Sequence, residues 1–151
     1  ELLIAKNAPA ESVSPDMSQI PADLGVILVD HGSKRDEANL LLEDVAQLFR
    51  GTTDARIVEI AHMELADPTI ADAFARCVKQ GATRIVVHPY FLAPGRHSTS
   101  DIPRMVAEAA ANHPDVAYTV TAPLGLDPRM TNIILDRVAQ SMNGPWSHST
   151  S

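Results

Sequence analysis

The strongest constraint on the fold is a fourfold alternation along the chain. Short apolar runs of strand type occur at residues 25–30 (GVILVD), 56–61 (RIVEIA), 84–87 (RIVV) and 116–121 (VAYTVT). Each is followed by apolar residues at helical spacing. Leu41, Val45, Leu48 and Phe49 form the first stripe, within residues 35–50, and Ile70, Ala73, Phe74, Cys77 and Val78 the second. Ile102, Met105, Val106, Ala109 and Ala110 form the third, and Met130, Ile133, Ile134 and Val138 the last. Gly51 and Gly81 stand where the first two helices should stop. The order βαβαβαβα predicts an α/β fold: a doubly wound, four-stranded parallel sheet with right-handed crossovers and helices on both faces. A flavodoxin-like strand order, 2-1-3-4, is expected.

The ends read differently. Residues 1–22 carry Pro9, Pro15, Pro21 and three serines that interrupt every period, so a flexible leader is expected there. Lys6 is its only cation and it has no apolar core, so it reads as neither a signal peptide nor an intact transit peptide. Residues 23–143 are expected to form one domain, and residues 144–151 (GPWSHSTS) a disordered tail. No apolar run approaches the ~20 residues of a membrane helix. Twelve Lys and Arg against 19 Asp and Glu leave a net charge of −7, which disfavours nucleic acid and anionic membranes as partners. An anionic ligand would need locally placed cations. A single cysteine, Cys77, excludes an internal disulfide framework and an intrachain cluster held by four thiolates.

In an open parallel sheet, ligands bind beyond the carboxyl ends of the strands. The residues there are Asp30-His31-Gly32-Ser33, His62-Met63-Glu64 and a long third connection from His88 through Arg96-His97. Three successive connections thus bring His or Glu to one rim. Imidazoles with a carboxylate suit a divalent transition metal with open positions. Gly32 and Gly95 would permit tight or left-handed backbone beside His31 and His97. Each residue taken alone also has a structural reading. A single strand-end histidine is commonly just hydrogen-bonded, and Glu64 could be a solvated carboxylate before a helix. Ser33 could bind a substrate carboxylate or cap the next helix, and Asp101 is expected to cap the helix containing Ile102-Pro103. Lys34, Arg35, Arg96 and Arg104 are the cations near the rim, or solvated surface charge. Cys77, on an apolar stripe, is expected to pack as a small hydrophobe. His113 and His148 are read as incidental.

VDHGS at 29–33, AHMELADPTI at 61–70 and HPYFLAPGRHSTSDIP at 88–103 resemble the small class II chelatases, the sirohydrochlorin ferrochelatases and their cobaltochelatase relatives. The resemblance covers roughly residues 24–140. His31, Glu64 and His97 fall at equal intervals of 33 residues, in agreement with it. It implies a flavodoxin-like chelatase domain, a half-domain of the larger chelatases, often dimeric. It implies His31 and His97 as metal-binding histidines and Glu64 as the functional carboxylate, all three catalytic. The implied reaction is that of a lyase inserting Fe2+ into sirohydrochlorin, with release of two protons, to give siroheme. Neutral imidazoles would hold the metal, Glu64 would accept a proton or complete the coordination, and Ser33 and Arg96 would bind the polycarboxylate substrate. Fe2+ is then a substrate, Co2+ an alternative one, and no tightly bound cofactor is expected. The wording of the motifs is closest to the plant plastid branch, which implies a chloroplast stroma location, with a bacterial cytoplasm as the alternative. Plant members can carry a cysteine-rich segment for an iron–sulfur cluster; with no cysteine after Cys77, such a cluster is not expected in this chain. Two other readings keep the same rim: a cobaltochelatase, or a non-enzymatic divalent-metal carrier. A phosphohistidine-type phosphatase wants an arginine beside the histidine, where Asp30 stands.

Overall fold

A computed structural model of the chain describes residues 19–150. Residues 1–18, most of the expected leader, and Ser151 lie outside the described residues. The elements run β1 (Leu24–Asp30), α1 (Asp36–Thr52), β2 (Ile57–His62), α2 (Ile70–Lys79), β3 (Arg84–Pro89), α3 (Ile102–Ala110), β4 (Ala117–Val120) and α4 (Pro128–Ser141). The strands are all parallel and ordered β2-β1-β3-β4, the expected order. Residues 145–150 are exposed and carry no helix or strand.

β1 is central because its residues are apolar on both sides. Val26 and Leu28 face α1 and pack with Leu42, Ala46, Val58 and Ile60. Ile27 and Val29 face the other way, into the larger core of Phe74, Ile85, Val87, Ile102 and Val106 under α2 and α3. Burying each such side chain contributes about 1.5–3 kcal/mol. Gly25 lets α2 approach, since a Cβ there would meet the Cys77 Cβ at 3.1 Å. Cys77 itself is fully buried, and burial pushes its thiol up to about 12, so it packs as an inert hydrophobe, as expected. α2 opens with a reciprocal cap: the Thr69 hydroxyl accepts from Asp72 N, and the Asp72 carboxylate accepts from Thr69 N, each at 3.1 Å.

Two elements depart from expectation. The long third connection does not stay a loop to its end: a π-helical turn, His97–Asp101, winds directly into α3. α4 forms over its expected stripe but buries none of its residues. An apolar stripe says which face seeks cover, not what provides it.

Candidate functional site

The register aligns Asp30 with His62 at the carboxyl ends of β1 and β2. Beyond that pair the two loops are tied by their backbones. Met63 N donates to Asp30 O at 3.0 Å, and Glu64 N donates to His31 O at 3.2 Å. Gly32 lies between them with φ +90°, and a Cβ there would stand 1.9 Å from the Glu64 carbonyl oxygen. Only glycine permits this approach. The result sets His31 Nε2 3.0 Å from Glu64 Oε1.

His97 reaches the same spot from the third connection. Its ring meets the His31 ring edge to face, with centroids 4.9 Å apart. The π-helical turn orients it, for His97 Nδ1 lies 3.0 Å from Asp101 Oδ2, four residues on. A proton on Nδ1 shared with Asp101 would leave the Nε2 lone pair free, as in carboxylate–histidine pairs at metal sites. Asp101 therefore does not cap α3, contrary to expectation: it already has helical backbone and makes no capping bond. Its partnership with His97 follows from i,i+4 spacing, which becomes visible once residues 97–101 are known to be helical.

The structure thus brings His31, Glu64 and His97 together on an open rim, with side chains 40%, 57% and 51% exposed. The contacts are pairwise, both through His31. Among the described residues no three His, Cys, Asp or Glu side chains form a preformed metal cluster.

The other rim histidines go elsewhere. His62 is buried, its Nδ1 2.5 Å from Asp30 Oδ1, joining the first two strand ends beneath the loops. His88 Nδ1 lies 2.8 Å from Thr121 Oγ1, bridging β3 to the end of β4, and burial holds its imidazole below the usual histidine range. His113 stacks on Phe74, with centroids 5.5 Å apart. Gly95 shows no need for special backbone: its φ is not positive, and a Cβ there would meet nothing within 4 Å.

Ser33 Oγ accepts from Arg35 N at 3.0 Å, in a turn before α1 rather than as its N-cap. Asn39, whose part the sequence did not signal, grips the Ser33 backbone through N–H (2.9 Å) and carbonyl (2.8 Å). Arg96 is exposed beside His97 and makes no salt bridge among the described residues. Arg104 is paired with Glu108 at 3.0 Å. A cleft of about 640 Å3 opens next to Ser33, between α1 and the β2–α2 loop, but it does not include His31, Glu64 or His97. Its charged lining is Lys34 against Asp36, Glu43 and Asp67, a poor wall for an anion. The open rim that carries His31, Glu64 and His97 is the better candidate for the chemistry.

Known proteins are similar to this chain in sequence and, where solved, in fold. A sirohydrochlorin ferrochelatase, chloroplastic, of Arabidopsis thaliana is 49% identical over 119 residues, 79% of this chain and 53% of that protein. The chain thus spans about half the length of that relative. A sirohydrochlorin cobaltochelatase of Methanopyrus kandleri is 31% identical over 139 residues, covering 79% of this chain and 97% of the relative. The solved structure of SirB from Bacillus subtilis with Fe3+ superposes with a TM-score of 0.74 at 28% identity, over 84% of this chain and 50% of that one. No helix among the described residues is long and apolar enough to cross a membrane. The sheet order, the loop-borne rim and these likenesses agree with the family model that matches residues 25–141, and the chain belongs to the CbiX family.

Proposed function

We propose that this chain is a sirohydrochlorin ferrochelatase. Its reaction exchanges two pyrrolic N–H protons of sirohydrochlorin for Fe2+, giving siroheme and two protons. The observation that carries the reading is the juxtaposition of His31 Nε2 with Glu64 Oε1 at 3.0 Å, with the His97 ring against His31. Two imidazole lone pairs and a carboxylate suit Fe2+ while leaving positions for incoming nitrogens. In this reading His31 and His97 present the metal, and Glu64 takes protons from the macrocycle. The openness of the rim suits a flat, bulky second substrate. A site built to pass its metal on gains from a loose hold, and pairwise rather than enclosed ligands supply one.

Arg96 is the cation this reading assigns to a substrate carboxylate, because it neighbours His97 and has no acidic partner among the described residues. Ser33 retains a hydroxyl proton to donate, since its bond to Arg35 N uses only a lone pair. The identity of 49% to a ferrochelatase, against 31% to a cobaltochelatase, favours iron. The chloroplastic name of the Arabidopsis protein supports a stromal location. We read residues 23–143 as the chelatase domain and its working unit as a homodimer, supported by the uncovered apolar face of α4.

The test is anaerobic incubation of the pure chain with sirohydrochlorin and Fe2+ or Co2+ at equal free concentration, followed by absorption. Faster saturable insertion of Fe2+ than the uncatalysed rate is expected. Preference for Co2+ would make the chain a cobaltochelatase, and metal binding without insertion a carrier.

A further inference from the structure

In the β2–α2 loop one residue sits on a backbone that does not suit it. His62 N donates to Pro68 O at 2.9 Å, which closes residues 62–68 into a tight reversal, and Glu64 N donates to His31 O at 3.2 Å, which ties that reversal to the first loop. Within it Leu65 takes φ +70°. The other described residues with positive φ are Gly32, Gly81 and Gly125, all glycines. A left-handed backbone crowds the Cβ of an L residue. Glycine escapes that cost, and asparagine tolerates the conformation far better than leucine does.

Burial does not offset the misfit. Leu65 is 54% exposed and belongs to neither hydrophobic cluster. For folding alone, glycine or asparagine would serve better at this position. Strain held at an exposed apolar side chain, directly after Glu64, points to a contact with a ligand. Leu65 also lines the 640 Å3 cleft beside the rim, whose Asp36, Glu43 and Asp67 repel carboxylates. A tetrapyrrole polycarboxylate is charged around its edge and apolar over its faces. The acidic lining keeps that edge out of the cleft, so what Leu65 can offer such a ligand is contact with the ring face.

We infer that Leu65 is a substrate-contact residue, its side chain packing against the apolar face of the sirohydrochlorin ring beside the pyrrolic protons that Glu64 accepts. This rests on the ferrochelatase reading above for the identity of the ligand, and adds a residue that seats the ring over the carboxylate. The backbone turn that brings Glu64 to His31 also presents Leu65, so one loop carries both the proton acceptor and the seat for the ring.

The test uses the full chain and metal-free sirohydrochlorin, with Kd read by absorption titration. Leu65→Asn should weaken binding about five- to tenfold, the loss of part of a leucine's burial against the ring. Its urea midpoint should equal or exceed that of wild type, because the misfit is relieved. Leu65→Met, again an unbranched-at-Cβ apolar chain, should recover most of the affinity. Anaerobic calorimetry should show Fe2+ affinity unchanged in Leu65→Asn. An unchanged Kd for sirohydrochlorin in Leu65→Asn overturns the contact. A lower urea midpoint overturns it too, since Leu65 would then serve the fold, and a parallel loss of Fe2+ affinity overturns it because Glu64 has then moved. Wild-type chain that binds sirohydrochlorin with this dependence on Leu65 but inserts no Fe2+ refutes the ferrochelatase reading and leaves the contact standing. Wild-type chain that does not bind sirohydrochlorin refutes both.

Discussion

Gly32→Ala probes the contact that joins the first two loops. A Cβ at Gly32 would lie 1.9 Å from the Glu64 carbonyl oxygen, where real Cβ contacts essentially never fall below 3.0 Å. The obstacle is backbone, so relief requires the β2–α2 loop or the His31–Gly32 peptide to retreat by more than ~1 Å, a misplacement of the kind that can cost ~10²-fold in rate. The φ of +90° adds a conformational penalty of ~1–2 kcal/mol for an L side chain. The Glu64 N–His31 O bond would be strained as well, a net ~0.5–1.5 kcal/mol. Together these predict destabilisation of ~2–3 kcal/mol and at least a tenfold loss of insertion rate. Urea unfolding by circular dichroism measures the first, and absorption of the metallated product the second. Gly95→Ala is the matched control, with no positive φ and open space around the added methyl, and should match wild type in both. If Gly32→Ala behaves like Gly95→Ala, the loops are not held together by this approach and the reasoning fails.

Glu64→Gln should lose ~10²–10⁴-fold in insertion rate while keeping most metal affinity, since a positioned proton acceptor is removed and the shape is kept; calorimetry and turnover on the same protein separate acceptor from ligand. Arg96→Ala should raise the apparent KM for sirohydrochlorin more than it lowers kcat, with the difference shrinking in high salt; an unchanged KM at low ionic strength returns Arg96 to the solvated surface. Burial depresses the His88 imidazole, so the folded chain takes up that proton less readily than the unfolded one. The stability this contributes is present above the ordinary histidine value of about 6.5 and is lost as pH falls through the folded value; melts from pH 7.5 to 5 should fall less steeply in His88→Asn. Cys77 should resist alkylation in the folded chain and react on unfolding; rapid labelling of native protein would contradict its burial and raised thiol.

The sheet was legible because its strands are continuous apolar runs and its helices carry clean stripes. β1, read as GVILVD, becomes a strand buried on both sides and flanked by β2 and β3, in the expected order 2-1-3-4. The rim was legible for a related reason: parallel strands point their carboxyl ends one way, so His31, Glu64 and His97 had to reach the same edge. Which histidines stay at that edge was not. His31 and His62 both end a strand pattern, yet His62 sits on the last residue of β2 and turns inward to Asp30, a choice made by register. Asp101 before Ile-Pro looks like an N-cap, and only the earlier start of the helix reveals its bond to His97. Gly32 and Gly95 looked alike because glycine announces permission, and only the neighbouring backbone shows where that permission is used.

The π-helical turn at His97–Asp101 has a consequence for how this segment can vary. In an α-helix each residue advances the side chains by about 100° around the axis. A π-turn holds one residue more than the α-turn it replaces. Below it, Ile102, Val106 and Ala109 are locked into the core; above it, His97 must point at His31. Removing one residue from the turn would leave the core contacts in place and swing His97 about a quarter of the way round the helix, off the rim. The azimuth of the histidine is therefore stored as a residue count. Substitutions among Ser98, Thr99 and Ser100 leave that count untouched, whereas a single deletion there disconnects the third loop from the other two without unfolding anything.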